Sequence, residues 1–222
     1  MNILQQTSAP TQSVFFSKVI GFFALAILIS AAGVLSGFFV IPQEIVMNRG
    51  FYFLAFIIEL GLIFTSRTWS QKLPLGYFLF VLFAFLSGLT AVPILGLAGM
   101  IGGAELIGKA LLATFATFGA AAVFGVTTGK NLVGLGGWLS MSIIGMIIIS
   151  VAGFFFPWGN TFELILAGFG VIVFSAYTAY DFQKIKGNHH ESEAIAAAIA
   201  LYLDIFNLFI FILRLMIAFR SD

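Results

Sequence analysis

Four ionisable side chains interrupt long apolar stretches of the chain: Glu59, Asp181, Asp204 and Arg214. A charge at the centre of a bilayer costs at least about 2.5 to 3.5 kcal/mol, so each of these side chains is expected to face protein or water and to have a partner. Carboxyl groups at such depths can take up protons or bind cations, and arginine pairs with carboxylates. These four residues are therefore the first candidates for function.

Asp181 and Asp204 are expected on two consecutive antiparallel helices, so their carboxyl groups can approach each other. Counting 1.5 Å per residue from the connection places them about 6 Å and 15 Å deep, so contact requires tilt or a longer final helix. Two carboxylates at hydrogen-bond distance cannot both ionise at low cost and would share one proton. Loss of that proton would separate the helices or direct one acid to a cation, which predicts a pH sensor that acts as a gate. The alternative is that each acid only caps a helix or bonds a backbone group.

Glu59 and Arg214 are expected nearer the other membrane surface, about 15 Å and 8 Å from it, where the arginine can extend to the acid. They form either a structural ion pair or a latch that closes the gate. One side of the final apolar stretch carries small and polar residues, including Asp204 and Asn207, and the other side is bulky. This helix is predicted to lie inside the bundle, with the other helices around it.

The elements that must position these residues are membrane-spanning helices. Of the 222 residues, 61% are hydrophobic and 9% are charged, whereas a soluble domain has about 25% charged residues. A hydrocarbon core needs about 20 apolar residues per helix, and the runs are continuous rather than alternating, which disfavours a β-barrel. We therefore predict an all-α integral membrane protein. Its seven predicted spans are Val19–Val40, Met47–Thr65, Leu75–Pro93, Glu105–Val126, Trp138–Phe156, Phe162–Lys184 and Ala194–Phe219.

The connections are too short for a separate domain, so we expect residues 1–13 to form a polar tail and residues 14–222 to form a single transmembrane domain. Positive charges predict that the amino terminus is inside and, after seven spans, that the carboxyl terminus is outside. The charges then inside are Lys18, Arg67, Lys72, Lys130, Lys184 and Lys186, and those outside are Arg49, Lys109 and Arg220. No lipidation or organelle-address motif is evident, which suits a bacterial cytoplasmic membrane.

Several classes of function are disfavoured. The net charge of +1 with no basic cluster argues against nucleic acid, and the absence of cysteine excludes thiolate chemistry. An intramembrane aspartyl protease would match Tyr180 and Asp181, but LYLDIF lacks the glycines that flank the second acid there and no Pro-Ala-Leu follows. A proton-coupled carrier would share the acid pair, but no inverted repeat is evident. We therefore expect neither an enzyme nor a bound cofactor.

The segments TTGKNLVGLGGW, TAYDFQKIK and ALYLDIFNLFIFILRLM resemble the transmembrane Bax inhibitor motif family, in its bacterial branch. The resemblance covers the whole seven-span region. It implies six helices around a central seventh and a pH-sensitive calcium leak controlled by Asp181 and Asp204, with roles for Glu59 and Arg214. The family usually has Thr after the first acid, where this chain has Phe182. It usually has Phe-Ile after the second acid, where this chain has Ile205 and Phe206.

Some relatives carry an arginine cluster that ends the second helix and engages the first acid. Here that stretch reads TSRTWSQK, so only Arg67 and Lys72 remain for this role. The resemblance therefore leaves open which residue holds the closed state.

The resemblance implies calcium as the permeant ion. It prefers six to eight oxygen ligands, and two carboxylates with Asn207 and backbone carbonyls supply too few for tight binding. Weak, transient calcium binding at Asp181 and Asp204 suits conduction, because the ion must also leave. The expected partners are the lipid bilayer, calcium ions and protons. In the alternative reading the protein transports nothing and modulates another membrane protein, such as a protease or a survival factor.

Overall fold

The structure of the protein is a computed structural model that describes residues 8–187 and 191–221. The described part is helical and contains no β-strand, which confirms the predicted all-α class. Short 3-10 turns at Leu132–Leu135 and Glu191–Glu193 precede two of the helices. The helices are α1 (Ser8–Phe39), α2 (Gln43–Val46), α3 (Arg49–Trp69), α4 (Leu75–Thr90), α5 (Val92–Thr127), α6 (Gly136–Phe155), α7 (Asn160–Gly187) and α8 (Ala194–Ser221).

Six apolar segments of the described chain are long enough to cross a membrane, so this is a multi-pass membrane protein. Five of them correspond to predicted spans. The first helix starts earlier than expected, at Ser8, so the described end of the predicted tail 1–13 is helical, and residues 1–7 lie outside the described residues. The sixth segment, Leu75–Thr127, joins the third and fourth predicted spans into 53 residues.

The predicted connection between those two spans is mostly helical. We expected a loop between Pro93 and Glu105, but α5 starts at Val92 and its only non-helical residue is Gly103, with φ 64° and ψ −162°. This left-handed φ is open to glycine at little cost because glycine has no Cβ. The other three glycines of this stretch, Gly96, Gly99 and Gly102, keep helical backbone angles, so Gly103 alone interrupts α5.

Contacts divide the described chain into two compact units. The first unit extends to Pro93 and includes Ile185–Tyr202. Within it, α1 packs along α4, and α4 also contacts α3. The second unit comprises Ile94–Lys184 and the chain from Leu203 onward, so it contains all of α6 and most of α5, α7 and α8. The expectation of a single transmembrane domain over residues 14–222 stays a prediction.

Glycine brings α1 and α4 into backbone contact in the first unit. A Cβ atom on Gly33 would overlap the carbonyl oxygen of Phe85, and one on Gly88 would overlap that of Ser30. Small residues at such places allow close approach of helices in a membrane, where packing rather than the hydrophobic effect drives association. The two contacts therefore set the separation of these helices.

The second unit has a similar contact between α5 and α7. A Cβ atom on Gly125 would overlap the carbonyl oxygen of Ala179, whereas one on Gly129 would meet nothing within 4 Å. Gly125 and Gly129 are four residues apart, a spacing that is typical of glycines at helix contacts in membranes. Only Gly125 has that role, because Gly129 lies beyond the end of α5 at Thr127.

Candidate functional site

Both aspartates of the predicted pair lie on helices of the second unit. Asp181 is six residues from the end of α7 at Gly187, and Asp204 is ten residues from the start of α8 at Ala194. Both side chains are buried, with exposed fractions of 7% and 3%. Asp204 lies too deep in its helix to cap it, which excludes that explanation for this acid.

The two carboxyl groups lie within electrostatic range of each other and of the Tyr177 hydroxyl. The longer α7, which continues past the predicted end at Lys184, removes part of the depth difference expected between the acids. Oδ2 of Asp204 is buried and has no hydrogen-bond partner among the described residues. Burial of a carboxylate oxygen without a partner is costly, so this oxygen is suited to carry a proton or to contact a cation.

Hydroxyl groups near Asp181 are largely satisfied by their own helix. Thr178 Oγ1 donates to the carbonyl oxygen of Phe174 at 2.8 Å, and Ser175 Oγ donates to that of Val171 at 2.7 Å. The hydroxyl groups of Tyr177 and Ser140 share a hydrogen bond of 3.3 Å, which links α7 to α6. Of these three hydroxyl groups on α7, that of Tyr177 bonds a side chain of another helix and also interacts with both acids.

Asn207 was predicted to line an ion pathway. Its Nδ2 donates to the backbone carbonyl of Leu203 at 2.8 Å, and the side chain is half-buried. This bond uses only the amide nitrogen, and an ion would use the side-chain oxygen. The pathway role of Asn207 stays a prediction.

The residues that replace the usual family residues beside the acids are apolar and buried. Phe182, which follows Asp181, packs edge to face on Phe118 of α5 with ring centroids 5.6 Å apart. Ile205, which follows Asp204, is 7% exposed. These side chains exclude water beside the acids and so keep the local dielectric low, which strengthens the interaction between the two acids.

The connection before α6 is attached to the end of α7. The side chain of Gln183 accepts a hydrogen bond from Leu132 N at 2.7 Å and donates one to the carbonyl oxygen of Lys130 at 2.9 Å. One amide thus satisfies two backbone groups that follow α5. The sequence did not suggest this role, because Gln183 is an ordinary polar residue near a helix end.

Glu59 belongs to the first unit, where it is half-buried on α3. The hydroxyl of Thr90 lies 3.5 Å from Glu59 Oε1 and 3.0 Å from the carbonyl oxygen of Ser87, and it can donate to either. Ser87 is within range of both Glu59 and Tyr202. The buried hydroxyl of Tyr202 donates in turn to Ser30 Oγ at 2.8 Å. This polar cluster gathers side chains from α1, α3, α4 and α8, and sequence reasoning found only its glutamate.

Arg214 belongs to the second unit and is exposed on α8. The negative charge of Glu163, three residues after the start of α7, acts on this arginine. Sequence reasoning missed Glu163, although both residues lie toward the same end of two antiparallel helices. The pairing of Glu59 with Arg214 stays a prediction.

No group of three or more His, Cys, Asp or Glu side chains converges within residues 8–187 and 191–221. A cation beside Asp181 and Asp204 would therefore have at most two carboxyl groups from the described chain. The remaining ligands would have to be carbonyl groups, amides or water, which Ca²⁺ accepts.

The fold and these residues define a multi-pass helical membrane protein with a pair of buried carboxyl groups in one of its helical units. A family model described as "Inhibitor of apoptosis-promoting Bax1" matches residues 12–221, and the chain belongs to this Bax inhibitor-1 family. The expectation that it resembles the Bax inhibitor family is thereby confirmed.

Curated relatives match most of this chain. An uncharacterized protein of Helicobacter pylori strain J99 is 35% identical over 203 residues, which cover 90% of this chain and 85% of the relative. Inner membrane protein YbhL of Escherichia coli K12 is 30% identical over 220 residues, which cover 90% of each chain. Bax inhibitor 1 of Schizosaccharomyces pombe is 32% identical over 170 residues, which cover 77% of this chain and 62% of the relative.

Proposed function

We propose that this protein is a pH-sensitive calcium leak channel of a bacterial cytoplasmic membrane, controlled by Asp181 and Asp204. The observation that carries the proposal is the burial of two interacting carboxyl groups on neighbouring helices, one with an oxygen that lacks a partner in the described chain. Inside a membrane, such groups serve protons or cations. The proposal gives the protein a transport role and no catalysed reaction or bound cofactor.

In the proposed mechanism the pair holds one proton when the pore is closed. The proton lies between the two carboxyl groups and removes the repulsion that two buried anions would have. When it leaves, repulsion between the acids shifts α8 relative to α7, and the freed carboxylates can contact calcium. Carbonyl groups and the side-chain oxygen of Asn207 would complete a weak, short-lived ion site.

We further propose seven spans, with six helices around α8. The segment Leu75–Thr127 would be about 80 Å long as one straight helix, far more than the roughly 30 Å of hydrocarbon, so it is assigned two crossings, Leu75–Pro93 and Glu105–Val126. The positive-inside rule then places the amino terminus inside and the carboxyl terminus outside.

This orientation is tested by cysteine labelling, because the chain has no native cysteine. Gly129 and Gly159 are exposed, and a side chain added to either meets nothing within 4 Å. With an impermeant thiol reagent on intact cells, we expect Gly159→Cys to react and Gly129→Cys to react only after the cells are opened. The reverse pattern would invert the orientation, and equal labelling of both would contradict an odd number of crossings between them.

The function itself is tested with purified protein in liposomes that contain a calcium dye. The external pH is stepped between about 5 and 8, and calcium entry is compared with that of protein-free liposomes. We expect entry that depends on the protein and on pH. If calcium does not enter the liposomes at any pH, the proposal of a calcium leak is wrong.

The second candidate function is a non-transporting modulator of another membrane protein. The name of the fission yeast relative, Bax inhibitor 1, favours it, because an inhibitor acts on another protein. The liposome experiment separates the two functions, since a leak needs no partner. Protein that folds in liposomes but carries no calcium would support the modulator.

The proposed latch between Glu59 and Arg214 is tested by a double-mutant cycle on the unfolding free energy in detergent. If these side chains pair, Glu59→Gln and Arg214→Gln should be non-additive by about 0.5 to 3 kcal/mol. A parallel cycle uses Glu163→Gln, because Glu163 also acts on Arg214. Coupling of Arg214 to Glu163 but not to Glu59 would disprove the latch. It would instead indicate a structural ion pair between Arg214 and Glu163 within the second unit.

A further inference from the structure

An open groove of about 670 Å³ lies between α5 and α7 on the second unit. Its walls are mostly small and apolar, and the 3-10 turn Leu132–Leu135 lines one end. Positions four residues apart lie on the same side of α5 and extend the groove over about 12 Å. Residues that line it include Ala116, Ala120, Phe124, Leu132, Ala176 and Ala179.

The groove exists because the two helices meet at one place and carry short side chains beside it. Contact at Gly125 and Ala179 holds the backbones together, while alanines one and two turns away leave space that larger residues would fill. Both helices belong to membrane-spanning segments, so the space is next to hydrocarbon rather than bulk water. An apolar furrow of this kind in a bilayer fits a lipid acyl chain.

Positive charge is concentrated at the end of the groove where both helices finish. Lys130 and Lys184 are exposed there, and the two hydrogen bonds of Gln183 hold the chain around Lys130 against the end of α7. The exposed acids of the described second unit, Glu105 and Glu163, lie toward the opposite ends of α5 and α7. An anionic headgroup at the lysine end would therefore meet the positive charges of Lys130 and Lys184, away from Glu105 and Glu163.

We propose that this groove binds an anionic phospholipid, with one acyl chain between α5 and α7 and the phosphate held by Lys130 and Lys184. The length of the groove suits part of one chain, and lysines at the membrane surface attract anionic headgroups. This inference does not depend on the calcium leak. In this proposal one phospholipid is a specific ligand of the protein, distinct from the lipids of the surrounding bilayer.

The test is native mass spectrometry of the purified full chain from detergent, with phosphatidylglycerol or phosphatidylcholine added. For the wild type we expect one retained lipid and a preference for phosphatidylglycerol of at least about tenfold, from two lysines near the headgroup. Ala120→Phe should fill the groove and remove most of the retained lipid. Lys130→Gln combined with Lys184→Gln should abolish the headgroup preference and leave the chain-binding groove intact.

The matched control is Leu112→Phe, which adds an aromatic ring on the same helix at a position that is 72% exposed. It should retain lipid as the wild type does. Ala176→Phe fills the opposite wall and replaces Ala120→Phe if that variant does not fold. Equal retention of both lipids by the wild type, or unchanged retention in both groove-filling variants, would overturn the proposal. So would a wild-type dimer that the filling variants convert to monomers, because a second copy would then be the occupant.

Discussion

Asparagine at either Asp181 or Asp204 is expected to flatten the pH dependence of calcium flux through the purified protein. Asparagine keeps the size and hydrogen-bonding capacity of the side chain but cannot ionise, so the shared proton no longer exists. A step governed by one proton changes the closed-to-open ratio by up to about tenfold per pH unit, and this dependence should disappear in both variants. The flux of each variant is recorded in dye-loaded liposomes over the same pH steps as the wild type.

The control for this experiment is Glu44→Gln, which removes an exposed acid from α2 and should keep the wild-type pH profile. Each single variant should resemble the double variant in its pH profile, because the titrating step belongs to the pair. A pH profile of Asp181→Asn and Asp204→Asn that matches the wild type would disprove the paired-acid mechanism, whatever the size of the flux.

Alanine at Gly125 is expected to destabilise the protein despite the higher helix propensity of alanine. Its Cβ would overlap the carbonyl oxygen of Ala179, so α5 and α7 would have to separate. Overpacking of this kind costs about 1 to 3 kcal/mol, and the strain falls two residues from Asp181. We expect a lower midpoint of thermal unfolding in detergent.

Gly119→Ala on the same helix is the matched control, because a Cβ atom there meets nothing within 4 Å. Without a clash, alanine should leave the protein unchanged or stabilise it by up to about 1 kcal/mol. Equal effects of the two substitutions would show that the close contact of Gly125 does not set the helix separation.

Apolar length alone predicted most of the spans, because a bilayer demands about 20 apolar residues per helix and leaves a backbone few other ways to satisfy its hydrogen bonds. The same rule identified Glu59, Asp181, Asp204 and Arg214, since ionisable residues stand out against such stretches. The segment between Pro93 and Glu105 was the exception. The bounds of the two predicted spans left a loop there, yet only Gly103 leaves the helical conformation.

The sequence by itself determined that this protein is a helical membrane protein of the Bax inhibitor-1 family with two acids in its last two long helices. Only the tertiary structure decided which faces of the helices meet. Gly125 and Gly129 are four residues apart, but a Cβ atom added at Gly125 would overlap α7, whereas one added at Gly129 would meet nothing within 4 Å. The sequence likewise did not predict the hydroxyl groups around Glu59 or the groove between α5 and α7. Hydropathy measures residues along one helix, whereas such contacts depend on how each helix is rotated and tilted, which packing against its neighbours sets.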